Sequence, residues 1–89
     1  MPDKQRIVIR VTEIQGRGEC HLGHKVGDCW EYPDDVNKMC GMLLHTIYPD
    51  IRVLRFGGSF PWDEDPDRHY LCCPDPHNPV VVEIARLSE

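Results

Sequence analysis

The alternation in residues 6–14, Arg-Ile-Val-Ile-Arg-Val-Thr-Glu-Ile, constrains the fold of this chain more than any other feature. Ile7, Ile9 and Val11 share one face, with Arg10 and Thr12 on the other, as in a strand with a single buried side. Val80–Leu87 reads as the last strand, flanked by Pro79. Val26 followed by Trp30 and Tyr32 predicts a strand entering from residue 28, and residues 69–73 predict a short one closed by Pro74-Asp75-Pro76. Helical spacing occurs between these pairs of strands. Val36, Cys40, Leu43, Leu44 and Ile47 fall at i, i+4, i+7, i+8 and i+11, behind an acidic start at Pro33-Asp34-Asp35. Pro49 is expected to interrupt that helix, with Asp50 capping a short continuation through Ile51, Val53, Leu54 and Phe56 that stops at Gly57-Gly58. The expected class is α+β. A small, largely antiparallel sheet in the order β-β-α-β-β carries the helix on one face, in a single domain spanning residues 1–89.

Charge narrows the partners. Fifteen acidic residues against ten basic ones give a net charge of −5, without the basic stripe that a phosphate backbone requires, so nucleic acid is excluded as the expected partner. The same balance disfavours anionic membrane surfaces. No run approaches the ~18 apolar residues of a membrane span, and no signal peptide is recognisable, so a reducing cytoplasm is the expected setting. A chain of this length buries roughly 60% of its unfolded surface, which leaves a thin stability margin. A metal clip or a homo-oligomer interface would widen it.

Five cysteines and five histidines then stand out in 89 residues. An odd number of thiols in a reducing compartment points to a soft metal or thiol chemistry rather than to a disulfide framework. Cys20-x-x-x-His24 can bring sulfur and nitrogen to one ion across the turn at Gly23, with His21 as a substitute ligand, although the pattern also suits a polar hairpin tip beside a buried cysteine. Successive strand residues face opposite ways, so Cys73 lies with Leu71 and His69 while Cys72 lies with Tyr70. Cys73, at the strand end before Pro74, is the better ligand of the two. Cys40 sits on the helical stripe, where packing alone accounts for it. His45 is five residues on, roughly 140° around a helix, so Cys40 and His45 cannot easily share an ion. Cys29 reads as packing.

The acidic run 62–67 lacks the glycine and spacing of a calcium loop and reads as solvated. Phe56-Gly57-Gly58-Ser59-Phe60-Pro61-Trp62 joins backbone freedom to three aromatic rings. It suits either the wall of a small-molecule pocket, with Phe56, Ser59, Phe60 and Trp62 as contacts, or aromatics folded over a thin core. No serine–histidine–acid set, phosphate-cradling loop or dinucleotide fingerprint is present.

Across nearly its whole length the chain resembles a family of small, cysteine-containing proteins of anaerobic bacteria and archaea. The matching segments are Cys20-His21-Leu22-Gly23-His24-Lys25-Val26-Gly27-Asp28, Cys40, His45-Thr46-Ile47-Tyr48-Pro49, Arg55-Phe56-Gly57-Gly58-Ser59-Phe60-Pro61-Trp62 and Cys73-Pro74-Asp75-Pro76. The resemblance implies a shortlist of residues, Cys20, His24, Cys40, His45 and Cys73, rather than a reaction, and it leaves Cys29 and Cys72 outside the shared pattern.

The expected function is a metal-binding one: zinc or iron held by Cys20, His24 and Cys73, with Cys40 or His45 as fourth ligand. Three protein ligands would leave a position open for Lewis-acid or redox chemistry on a small-molecule substrate; four would make the ion structural. Two alternatives stand beside it. One is a metal-free module in which the aromatic loop contacts a ligand or partner protein. The other is an iron–sulfur cluster on Cys20, Cys40, Cys73 and one further cysteine.

Overall fold

In the computed structural model, which describes residues 6–20 and 22–87, the chain is α+β: one antiparallel four-stranded sheet with one helix packed on it. The strands are β1 (Arg6–Ile14), β2 (Cys29–Tyr32), β3 (Arg68–Cys72) and β4 (Val80–Leu87), and their order across the sheet is β2-β1-β4-β3. A single 3-10 turn (Val36–Lys38) precedes the helix, α1 (Gly41–Arg55). His21, weighed above as a substitute ligand, lies outside the described residues.

Residues paired across antiparallel strands share a face, so the register sorts the side chains. Ile9 stands opposite both Trp30 and Ile84, Val11 opposite Val82, and His69 opposite Ile84, all on the side that α1 covers. Leu43, Ile47, Ile51 and Leu54 of α1 close that side, and together these groups form one apolar core. The other side carries Arg10, Cys29, Tyr70, Cys72 and Glu83. There the buried Glu83 accepts hydrogen bonds from Arg68 (2.8 Å) and Tyr70 (2.6 Å).

Two expectations about the helix are corrected. Pro33-Asp34-Asp35 does not start it. The Asp35 carboxylate turns back to accept the Glu31 N–H (3.0 Å) and to meet Lys38, and Met39 then takes an extended conformation that sends its side chain into the core. Cys40, not an acid, is the N-cap residue. Nor does Pro49 interrupt α1, which runs through it. Pro49 and His45 both lie on the exposed side, so the His45 carbonyl that proline deprives of a helical partner can be hydrated.

The glycine stop behaves as expected. With φ of 91° at Gly57, the Gly58 N–H returns to the Val53 carbonyl (2.8 Å) and the Gly57 N–H to that of Leu54 (3.2 Å). From β4, Arg86 donates to the carbonyls of Leu54 (2.9 Å), Gly58 (2.6 Å) and Pro66 (3.0 Å), and to the Asp67 carboxylate. One guanidinium thus fastens the helix end and the following loop to the sheet. Among the described residues no helix is long and apolar enough to cross a membrane.

Candidate thiol site

Period-two alternation carries Cys73, just beyond β3, to the helix side of the sheet, and Cys72 to the other side. Cys40 reaches the same region as the residue leading into α1, and Cys20 arrives on the loop joining β1 to β2. All three are free, half-buried thiols packed against the core. They line one pocket of about 240 Å³, whose other walls include Leu22, Met42 and Val80, with Asp75 as its one carboxylate. Cys29 and Cys72 are exposed on the opposite side of the sheet.

The sulfur environments differ. Cys73 is held by its own backbone, whose N–H donates to the Val80 carbonyl (3.0 Å), while the Val80 N–H donates to Sγ (3.2 Å). That second bond fixes the position of the sulfur at the turn. Cys40 stands at the first turn of α1, where the unpaired N–H groups of a helix start favour an anion. Cys20 belongs to a loop with positive φ at Gly16, Gly18, Gly23 and Gly27, a backbone built from turns rather than from a ladder.

His24 and His45 do not line this pocket, and His24 instead lines a neighbouring cavity together with Cys20. The Nε2 of His24 accepts the Cys40 backbone N–H (3.0 Å), its ring packs edge-on to Trp30 at 4.8 Å, and its Nδ1 lies 4.0 Å from Asp28. An imidazole accepting at Nε2 carries its proton on Nδ1, so the lone pair needed for a metal is already engaged. His24 therefore orients Cys40 rather than standing beside it in the pocket. His45 is exposed on α1 and is not among the residues lining the pocket. Among the described residues no three His, Cys, Asp or Glu side chains stand close enough to hold an ion as a group, so the three sulfurs share a cavity without being at ligating distance.

The aromatic segment forms a separate structure. None of Phe56, Ser59, Phe60 and Trp62 lines the thiol pocket. Phe60 stacks on His69 with ring centroids 3.9 Å apart, and Trp62 leans on Phe60 while remaining 71% exposed. Phe56 lies under the Arg52 guanidinium at 5.0 Å, and Ser59 is exposed. Of the two readings left open above, aromatics folded over a thin core accounts for Phe60.

His69, which the sequence reading used only to mark a strand face, proves to be a junction. It is buried, with Nδ1 2.6 Å from Asp63 and Nε2 2.8 Å from Asp50. The ring thus bridges a helix carboxylate and a loop carboxylate, one at each nitrogen. The available signal was an inward-facing histidine just after a run of acids. No comparison with protein-family models, curated proteins or solved structures finds a match for this chain.

Proposed function

We propose that the chain is a small metal-binding protein whose centre is the pocket of Cys20, Cys40 and Cys73, working in a reducing cytoplasm and taking zinc or iron. The observation that carries this reading is the common pocket: three free thiols from three separate chain segments line it. Sulfur donors favour zinc and iron over hard cations. The Val80 N–H on Cys73 and the helix start at Cys40 would both stabilise thiolate charge. Binding an ion would require the sulfurs to close to ligating distance, and Asp75, which lines the same pocket, is a candidate fourth donor. With three sulfur ligands a position stays open for a small-molecule substrate, which is the enzymatic form of the proposal. Membership of the cysteine-containing family described above belongs to the same proposal. A four-cysteine iron–sulfur cluster fits less well, because Cys29 and Cys72 would have to cross the sheet.

A second reading is favoured by the remaining walls. Leu22, Met42 and Val80 make the cavity largely apolar, which suits a metal-free module binding an apolar ligand or a partner's side chain. The two are separated by anaerobic purification without a histidine tag, followed by elemental analysis and titration with Co(II). The metal reading expects about one equivalent of ion and strong thiolate-to-cobalt absorption, lost in Cys20→Ser, Cys40→Ser and Cys73→Ser and retained in His45→Ala. Less than a tenth of an equivalent, with no thiolate absorption on titration, leaves the apolar-ligand reading in its place.

A further inference from the structure

The strand arginines Arg6, Arg10, Arg68 and Arg86 each meet a carboxylate. Arg52 and Arg55, at the end of α1, meet aromatic rings instead. The Arg52 guanidinium lies 5.0 Å above the centre of Phe56, and that of Arg55 lies 4.9 Å above Tyr32. Neither has a carboxylate partner among the described residues, in a chain with a net charge of −5. Tyr48, one turn before Arg52, completes the cluster. Its hydroxyl receives an Arg52 N–H at 3.5 Å, and its ring is 6.1 Å from that of Tyr32.

Arginines in a last helical turn often serve the helix itself, by binding its free carbonyls. That role is already filled here. The Leu54 carbonyl is taken by Gly57 and Arg86, and the Val53 carbonyl by Gly58. The two guanidiniums are therefore held in place by stacking and left without an anion. A guanidinium lying over a ring keeps N–H groups at its edge available, and that edge matches the oxygens of phosphate or carboxylate.

We propose that Arg52, Arg55 and Tyr48 form an oxyanion-binding site that takes the phosphate or carboxylate group of a small ligand. The Tyr48 hydroxyl adds to the donor set. Tyr48 is held below the usual phenol range first by a hydrogen bond from Tyr32 and then by Arg52, while burial first and Tyr48 second push Tyr32 up. The Tyr48 hydroxyl, already in reach of Arg52, stands beside the guanidinium where a bound oxygen would sit. Tyr48, Arg52 and Arg55 follow at i, i+4 and i+7, so one helix face presents all three. The site is independent of the thiol pocket.

The test is a titration of arginine-¹⁵N-labelled protein with pyrophosphate, and separately with succinate, at constant ionic strength, following the Nε–H signals. Saturable shifts of the Arg52 and Arg55 signals are expected with at least one probe, and the responding probe names the oxyanion source. Arg52→Gln with Arg55→Gln should abolish them. Arg52→Lys with Arg55→Lys keeps the charge but loses the fork, and should weaken binding about tenfold. Tyr48→Phe should weaken it less. Absence of saturation with both probes, undiminished binding by the double glutamine variant, or full affinity in the double lysine variant would each overturn the assignment. Unchanged thermal unfolding of these surface variants shows that a loss is not one of folding.

Discussion

Four oxygens converge on the Arg86 guanidinium: the carbonyls of Leu54, Gly58 and Pro66, and a carboxylate oxygen of Asp67. The side chain is only 11% exposed, and the half-buried bonds to the Leu54 and Gly58 carbonyls would be lost with little water to replace them, whereas Pro66 and Asp67 are open to solvent. Arg86→Met should cost about 3 kcal/mol in urea unfolding, and Arg86→Lys should recover only part of that, because an ammonium cannot span the fork. His69 sets up a comparable loss. Replacing it with leucine leaves Asp50 and Asp63 facing an apolar group, whereas His69→Leu combined with Asp50→Asn and Asp63→Asn removes the stranded charge. The triple variant should therefore be more stable than the single one; a triple variant less stable than the single would show that the carboxylates are not the source of the cost. Gly16 is constrained differently. At φ 69° an added Cβ would run into the His77 carbonyl and the Asn78 side chain, so Gly16→Ala should destabilise by about 2 kcal/mol or more.

At the scale of elements, α1 keeps a proline that its own backbone does not need. Pro49 lies on the exposed side of the helix, away from its buried residues Leu43, Ile47, Ile51 and Leu54. Pro49→Ala restores an N–H to the ladder and should raise stability by about 1–3 kcal/mol; an unchanged or lower unfolding midpoint would mean that Pro49 stabilises the helix in this context. The same helix marks how far the sequence could be read. β1 was legible because alternation and β-branching agree over nine residues, and β4 because a valine-rich run follows Pro79. The opposite facing of Cys72 and Cys73 was legible because a strand has period two. The helix start was not, because Asp35 spends its carboxylate on a backbone N–H behind it, and acid before an apolar stripe looks the same either way. The site was legible in part. Cys20, Cys40 and Cys73 could be shortlisted by residue type, but the engagement of His24 with Cys40 links positions 16 residues apart, and no local spacing encodes it. The Asp50–His69–Asp63 junction spans helix, loop and strand and was hidden for the same reason.

For the molecule as a whole, surface charge and the thiol pocket act on stability through different variables. The Glu31 carboxyl is held below its ordinary 4.5 chiefly by the hydrogen bond from Arg6, and that of Asp35 below its ordinary 3.8 chiefly by the Glu31 N–H. Folded-state values that are depressed stabilise above the unfolded values, and that stabilisation disappears as pH falls through the folded ones. Stability should therefore decline below about pH 4.5, and Glu31→Gln should flatten the decline. Metal, if it binds as proposed, acts at any pH that leaves the thiols free to deprotonate. An ion on Cys20, Cys40 and Cys73 would tie more firmly together the β1–β2 loop, the start of α1 and the β3–β4 turn, which His24 and Asn78 already link by hydrogen bonds. Saturation to about 100 times the dissociation constant adds about 2.7 kcal/mol to the folded state. In a domain of this size that corresponds to a rise in Tm on the order of 10 °C. Zinc added anaerobically should produce this rise in the native protein and in His45→Ala, and leave Cys73→Ser unmoved. A rise of equal size in Cys73→Ser would place the ion elsewhere, and no rise in the native protein would leave the pocket without the metal role assigned to it.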